Sequence, residues 1–516
     1  MQAGFAPGGA ADSEQSSNRF KIIQSASQYT FQSDVAVRER HRQTSTSDAS
    51  LSRSAGVAAN GNFESATFWL FIAGLAWTPL WYGSNDLVAW GINAVLFPGL
   101  AAAYEVSLLV KGEPHPIAIK NFGVPAALFA AVVGWILFQN ATWAPRLLAH
   151  PIWDMASKAL EQPLAASISV NRDLTTLALV RLMTCASVFW IAVQLCRNAL
   201  RASRLIEAVA AIGTAYSAYG LVAFAANTGR LSWFETSATR GFLSSTFINK
   251  NSFATYAGIC LLAVCGLILR LYRHQVVGND GPRRHRIASF IETTGQRGIA
   301  LLGGAFVIIV ALLLTGSRGG MIAAASGLVV LGILTLRRDA EQFKIMAFAI
   351  VLVATVCIGF GATVFDALTQ RGLGDSGRLA VHTITLRSIF DAPLSGFGYG
   401  TFVDVFPMYR DRSISLVGVW EQAHNTYLEV FQGLGLVFGS MLVASVLLLI
   451  WSCVQGAIRR RGNSMISCVA ASVGFLVGIQ ALFDFGLQIQ AVTMTFAAIL
   501  GAGVAQAQSS RKFLED

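Results

Sequence analysis

An all-α protein that crosses a membrane many times is the fold class this sequence predicts, and three observations predict it. Of its 516 residues, 54% are hydrophobic and only 13% charged, and the mean hydropathy of +0.55 exceeds what a soluble domain needs. Apolar stretches recur from Phe68 to Ala507, and those of about eighteen residues or more can cross a hydrocarbon layer of roughly 30 Å as helices. The net charge of +10 is spread between these stretches. A nucleic-acid partner would need it gathered on one soluble face, so none is predicted and charge reads first as topology. The seven cysteines all fall in apolar runs without a C-x-x-C pair, as small buried apolar residues do.

Residues 1–65, rich in Ser, Gln, Ala, Asn and Gly and without an apolar run, read as a disordered cytoplasmic tail. They lack the basic n-region, continuous h-region and cleavage site of a signal peptide, so the first span is expected to direct insertion. About twelve spans follow, at 66–83, 88–110, 123–139, 177–197, 205–226, 252–272, 298–315, 319–336, 345–365, 433–455, 465–483 and 491–508. The positive-inside rule tests this series, because one omitted or invented helix reverses every later loop. With the tail inside, the inner loops carry Lys111 and Lys120; Arg197, Arg201 and Arg204; the run from Arg270 to Arg297; Arg337, Arg338 and Lys344; Arg459, Arg460 and Arg461; and Arg511 and Lys512. The alternation holds throughout and puts both termini in the cytoplasm, with 501–516 as the C-terminal segment. Segments 140–176 and 366–432 then lie outside. The second far exceeds the roughly 15 residues of an ordinary connection. Its Trp, Phe, Tyr, Gly and five arginines predict a folded outer subdomain with short helices, ahead of the last three spans.

The outer segments break the charge rule at particular places. Arg230, Arg240 and Lys250 lie between spans five and six, and Arg318 sits in Thr315-Gly316-Ser317-Arg318-Gly319-Gly320 between spans seven and eight. Arg371, Arg378, Arg387, Arg410 and Arg412 follow in the large loop. An arginine at a membrane boundary is costly unless it meets an anion or a carboxylate, and its planar fork suits phosphate and diphosphate. Snorkelling, or pairing with Asp375, Asp391, Asp404 or Asp411, is the other reading for any one of them; the adjoining glycines and the short turn favour an anion at Arg318. Of the histidines only His150, His382 and His424 fall outside. His424 lies in Glu421-Gln422-Ala423-His424-Asn425-Thr426-Tyr427-Leu428-Glu429, where a helix would put His424, Tyr427 and Leu428 on one face. Such a histidine at a membrane surface is suited to act as a general base; His150 and His382 read as structural. No P-loop, H-E-x-x-H, D-x-D or G-x-S-x-G pattern occurs, and neither Gly396-Phe397-Gly398-Tyr399-Gly400 nor Asp484-Phe485-Gly486 has a nucleotide fold around it. No metal site and no cofactor are predicted, so protein cations would neutralise a diphosphate leaving group.

Ser317-Arg318-Gly319-Gly320 at a span junction, Pro393-Leu394-Ser395-Gly396-Phe397-Gly398-Tyr399-Gly400 in the outer loop, and His424-Asn425-x-Tyr427-Leu428-Glu429 before the C-terminal helices together resemble the O-antigen ligase and polymerase superfamily. Thr246-Phe247-Ile248-Asn249-Lys250-Asn251-x-Phe253 and Asp484-Phe485-x-Leu487-x-Ile489 are similar to two further motifs of that family, with Gln490 where a proline commonly stands. The resemblance covers about 205–500 and leaves 66–204 as N-terminal transmembrane helices. It implies a glycosyltransferase of lipopolysaccharide, O-antigen or exopolysaccharide biosynthesis in the bacterial inner membrane. Such an enzyme moves a glycan from undecaprenyl diphosphate to a glycan or lipid A-core acceptor on the periplasmic side. Residue by residue, it implies that Arg240 and Arg318 hold the diphosphate while His424 activates the acceptor hydroxyl. Arg378 is a further candidate for substrate binding. Asn249, Asn251 and Asn425 are candidates to orient diphosphate or sugar, with helix capping the equal alternative. Tyr399 and Trp420 are candidates to stack on sugar rings, an interfacial aromatic belt being the alternative for the tryptophan. Ligase and polymerase share these motifs. A carrier without chemistry is the reading from another class, but carriers place polar groups near midmembrane. Here the spans hold little charge apart from Glu105 and Arg181.

Overall fold

A computed structural model describes residues 63–226, 241–276, 283–336, 376–414, 418–460 and 464–508. These residues are helical, with no strand among them. α1 (Phe63–Trp77) is a short apolar helix. There follow α2 (Leu87–Lys111), α3 (Gly123–Asn140), α4 (Ile152–Leu160), α5 (Arg172–Leu195), α6 (Ala199–Ala225), α7 (Lys250–Val276), α8 (Arg283–Leu314) and α9 (Arg318–Leu336). Beyond residue 376 lie α10 (Ser376–Asp391), α11 (Phe402–Tyr409), α12 (Thr426–Arg459), α13 (Met465–Gln480) and α14 (Gln490–Ala507). Asparagine and aspartate caps start several of them: Asp86 accepts from the Val88 N–H, and Asn171 and Asn198 cap α5 and α6 in the same way.

Among the described residues nine helices are long and apolar enough to cross a membrane, and α1 and α13 are shorter apolar helices. This is a multi-pass membrane protein. The predicted span at 345–365 and residues 1–62 of the predicted tail lie outside the described residues. The first predicted span, 66–83, is corrected: its helix stops at Trp77. Pro79 disfavours helix at the residue before it, and Tyr82, Gly83 and Ser84 adopt left-handed φ of 52°, 69° and 56°.

The described residues from 67 onward form one compact unit. α7 and α14 run through its interior: 83% and 89% of their apolar windows are buried, against 11% for the window ending α3. Small residues permit that packing, as they do between membrane helices generally. A Cβ on Gly213 would lie 2.2 Å from that of Cys260, and one on Gly503 2.2 Å from that of Ala470. α7, α9, α12 and α14 begin at the same end of the bundle, where α8 and α13 finish.

α12 is broken at Gly435, whose φ is 76° and ψ 171°. The carbonyls freed by the break find other donors: Phe397 N–H reaches the Gln432 oxygen at 3.0 Å and Gly398 N–H the Gly433 oxygen at 3.1 Å. The Gln139 amide adds 2.7 Å to Gly433, and the Trp135 indole 3.1 Å to Leu434. Irregular backbone among membrane helices is tolerated only where it is satisfied in this way. α10 and α11 close over a small core of Val381, Ile384, Phe402, Phe406, Ile414 and Ala423.

Candidate functional site

The segment before α12 and the segment after α13 are lashed together. Thr426 N–H donates to the Ala481 oxygen at 2.9 Å, and the Asn425 amide to the Leu482 oxygen at 3.2 Å. Asn425 also caps α12, its Oδ1 accepting from Leu428 N–H at 3.1 Å. The helix therefore starts at Thr426, and His424 is not on the helical face expected for it beside Tyr427 and Leu428: it precedes the cap with a left-handed φ of 54°. From there His424 Nδ1 lies 3.0 Å from Oδ1 of Asp484, whose side chain is only 2% exposed. A carboxylate only accepts, so it fixes the imidazole proton on Nδ1 and leaves the lone pair on Nε2. The Trp420 and Phe485 rings stand edge-on to the imidazole at 5.9 and 4.9 Å.

Glu429, one turn into α12, joins both segments. Its Oε1 accepts from Ala423 N–H at 2.7 Å and its Oε2 from the Gln488 amide at 2.8 Å. Behind it Arg181 of α5 donates to the Gln488 carbonyl and lies 4.1 Å over the Trp90 ring. An arginine and a carboxylate within the bundle thus stand in one hydrogen-bonded network, the arrangement that makes buried charge tolerable.

Beside the imidazole opens a cavity of about 260 Å³, lined by His424, Trp420, Phe485 and Asn249, and by Tyr82 and Asn85 from between α1 and α2. Lys250 begins α7 next to Asn249, its ammonium 3.2 Å from the centre of the Phe242 ring. That ammonium would lie 3.9 Å from a Cβ on Gly316, two residues before Arg318 begins α9. Lys250 is close enough to Arg378 and Arg318 to be repelled by both. Three cations thus gather where α7 and α9 begin, near the positive ends of two helix dipoles. One turn beyond Arg378 on α10, His382 lies against the backbone of residues 423 and 424. Burial holds its pKa below the ordinary imidazole value, the neighbouring charges of His424 and Arg378 adding to the effect while hydrogen bonding to that backbone opposes it.

The predicted residues divide. His424 and Asn249 meet in the cavity, and Arg318 and Arg378 meet at Lys250. Asn249 also accepts the Asn251 N–H at 2.8 Å, so it caps α7 and lines the cavity at once. Asn251 is not among the lining residues. Asn425 serves as the cap described. Tyr399 is turned away from the cavity and packs with Val132, Ile136 and Leu434, because the pairing of 397–398 with 432–433 aims it at α3 and α12. Arg240, Arg230 and Arg371 lie outside the described residues. Arg387 pairs with Asp411 at 3.0 Å. His150 lies beside Phe397 and accepts the Ile152 N–H at 3.2 Å. Sequence reasoning missed Tyr82 and Asn85, whose only signal was the neighbouring Pro79 and Gly83, and the part played by Glu429. Among the described residues no three His, Cys, Asp or Glu are grouped to hold a metal ion.

No curated protein sequence matches the chain. Residues 303–443 match the O-antigen ligase family model, a stretch that contains Arg318, Arg378, His424 and Glu429 but neither Asn249 nor Asp484. The match spans about a quarter of the chain and supports its similarity to the O-antigen ligase and polymerase superfamily.

Proposed function

With that superfamily as premise, we propose that the chain is a glycosyltransferase of the bacterial inner membrane. It transfers a glycan from undecaprenyl diphosphate to an acceptor hydroxyl on the periplasmic side, as an O-antigen ligase does, with both its termini in the cytoplasm. The observation that carries this reading is the His424–Asp484 pair at 3.0 Å opening on the same cavity as Asn249, beside the cluster of Lys250, Arg318 and Arg378. A base and an anion site side by side are what glycosyl transfer from a diphosphate requires.

The acceptor oxygen attacks the anomeric carbon while its proton passes to Nε2 of His424, and the carbon–oxygen bond to the diphosphate breaks with its electron pair going to the phosphate. Displacement from the opposite face inverts the anomeric centre. Asp484 stabilises the imidazolium that forms, and the three cations stabilise the charge growing on the diphosphate. Arg240 is proposed as a fourth diphosphate contact, and Asn249, Asn251 and Asn425 as groups near the sugar and phosphate.

The test is His424→Asn, chosen because asparagine tolerates the left-handed backbone that His424 adopts. The variant is expected to accumulate in the membrane at the normal level and to lose glycan transfer by about 10²–10⁴-fold. Surface glycan of normal amount and length from this variant would overturn the reading. The lipid-linked glycan that builds up in a deletion strain separates the two activities of the family: long chains identify a ligase and single repeat units a polymerase of O-antigen or exopolysaccharide.

A further inference from the structure

Residues 78–86, between α1 and α2, lie outside the family match and outside the residues that carry the sequence resemblance, yet they form a wall of the cavity. Their bonds make that wall rigid. The Thr246 hydroxyl donates to the Pro79 oxygen at 2.5 Å, the Ser84 hydroxyl to the Thr78 oxygen at 2.7 Å, and the Trp90 indole to the Ser84 oxygen at 2.8 Å. The Gly83 oxygen accepts Ala491 N–H of α14 at 3.0 Å. Tyr82, Gly83 and Ser84 hold left-handed φ in succession, which side-chain-bearing residues do only where their surroundings over-determine it. A Cβ on Gly83 would meet the Phe247 ring at 2.5 Å. A segment fixed on every side presents its side chains in fixed positions, as selective binding requires.

The cavity's size and chemistry say what those side chains meet. Its volume of about 260 Å³ falls below the roughly 300–1,000 Å³ of sites for drug-sized ligands, so it holds one sugar ring and not a run of them. No Lys or Arg is among the residues lining it, which leaves the diphosphate outside, at the cation cluster. The rings of Tyr82, Trp420 and Phe485 offer apolar faces, and the amides of Asn85, Asn249 and Gln422 offer donors and acceptors for hydroxyls. The Asn85 amide makes no hydrogen bond among the described residues. We infer that Tyr82 and Asn85 are specificity-determining residues: they grip the acceptor's reacting sugar ring and hold its hydroxyl at His424.

This inference rests on the glycosyltransferase reading, and its test keeps the two apart. Transfer is measured in membranes of a deletion strain carrying the full chain, with the host's own lipid-linked donor and acceptor glycan titrated separately. Tyr82→Ala and Asn85→Ala are each expected to raise the acceptor KM by about 10-fold, the loss of one good contact. Donor KM should stay within about twofold of wild type. If the acceptor KM is unchanged, or the donor KM moves in its place, while His424→Asn is inactive, the inference is overturned and the reading of the site stands. If His424→Asn transfers at the normal rate, both fall. Should Tyr82→Ala not accumulate, Tyr82→Asn, which removes the ring and tolerates the left-handed backbone, and Asn85→Ser read the same acceptor KM.

Discussion

His424 keeps a backbone conformation that costs a side-chain-bearing residue about 1–2 kcal/mol, and it is kept there by its neighbours: Ala423 is tied to Glu429, Asn425 to Leu482, and the imidazole to Asp484. Asp484 also accepts the Phe485 N–H at 2.9 Å, while its Oδ2 is buried with no hydrogen-bond partner among the described residues. Asp484→Asn preserves this shape and removes the charge that would steady an imidazolium. Its kcat is expected to fall by about 10²–10⁴-fold with KM little changed. Steady-state transfer rates check this, and a fall of less than about tenfold would remove Asp484 from the mechanism. His424 and Arg318 stood out in the sequence because each breaks a local rule, one as an ionisable group at a predicted membrane edge and the other as a cation in a loop that the charge rule assigns to the outer side. Glu429 was legible only as a letter in a motif. What makes it matter is Gln488, 59 positions away, and no local pattern of residues encodes a hydrogen bond between loops so far apart in sequence.

At the scale of elements, glycines decide how the unit of α10 and α11 docks on α12. Gly396, Gly398 and Gly400 have φ of 63°, 104° and 83°, and their segment lies so close to the break in α12 that a Cβ on Gly396 would come 2.4 Å from the Gly433 oxygen. Gly396→Ala is expected to destabilise the protein by more than about 2 kcal/mol. Gly303→Ala in α8, where a Cβ meets nothing within 4 Å, should leave stability unchanged or slightly raised. Thermal unfolding of the purified proteins in detergent distinguishes them, and equal melting temperatures would refute the docking account. Hydropathy located α2, α3, α7 and α9 within a few residues because long apolar runs carry their signal all round, but it missed the start of α8, which lies at Arg283, well before the predicted 298. It placed the start of α12 at 433, too late by one and a half turns or more, because Thr426 to Gln432 are amphipathic and face the site. The glycine cluster at 396–400 is a tight connection between α10 and α11, whose shape depends on partners that the local sequence does not contain.

For the whole molecule, the proposed orientation assigns most basic residues to the cytoplasmic side and leaves Lys250, Arg318 and Arg378, gathered at the start of α7 and α9, unexplained by that rule. The orientation is testable in a chain whose Cys357 is replaced by serine, because the described cysteines are buried or partly buried. A cysteine at Leu147, a residue 94% exposed between α3 and α4, should react with a membrane-impermeant maleimide from the periplasmic side. A cysteine at Glu113, beyond the far end of α2, should react only after the inner membrane is opened; the reverse pattern would invert the topology. One further consequence lies in the bond from Ala491 to Gly83 and in that from Asn93 to Gln490, whose partners are 397 positions apart. At translation rates of about 5–20 residues per second, the first loop waits roughly 20–80 s for α14 to emerge. Until then the wall made by Tyr82 and Asn85 has no backstop. A nascent chain thus carries its first loop well before the cavity has this wall held in place, and α14 is the helix that completes it.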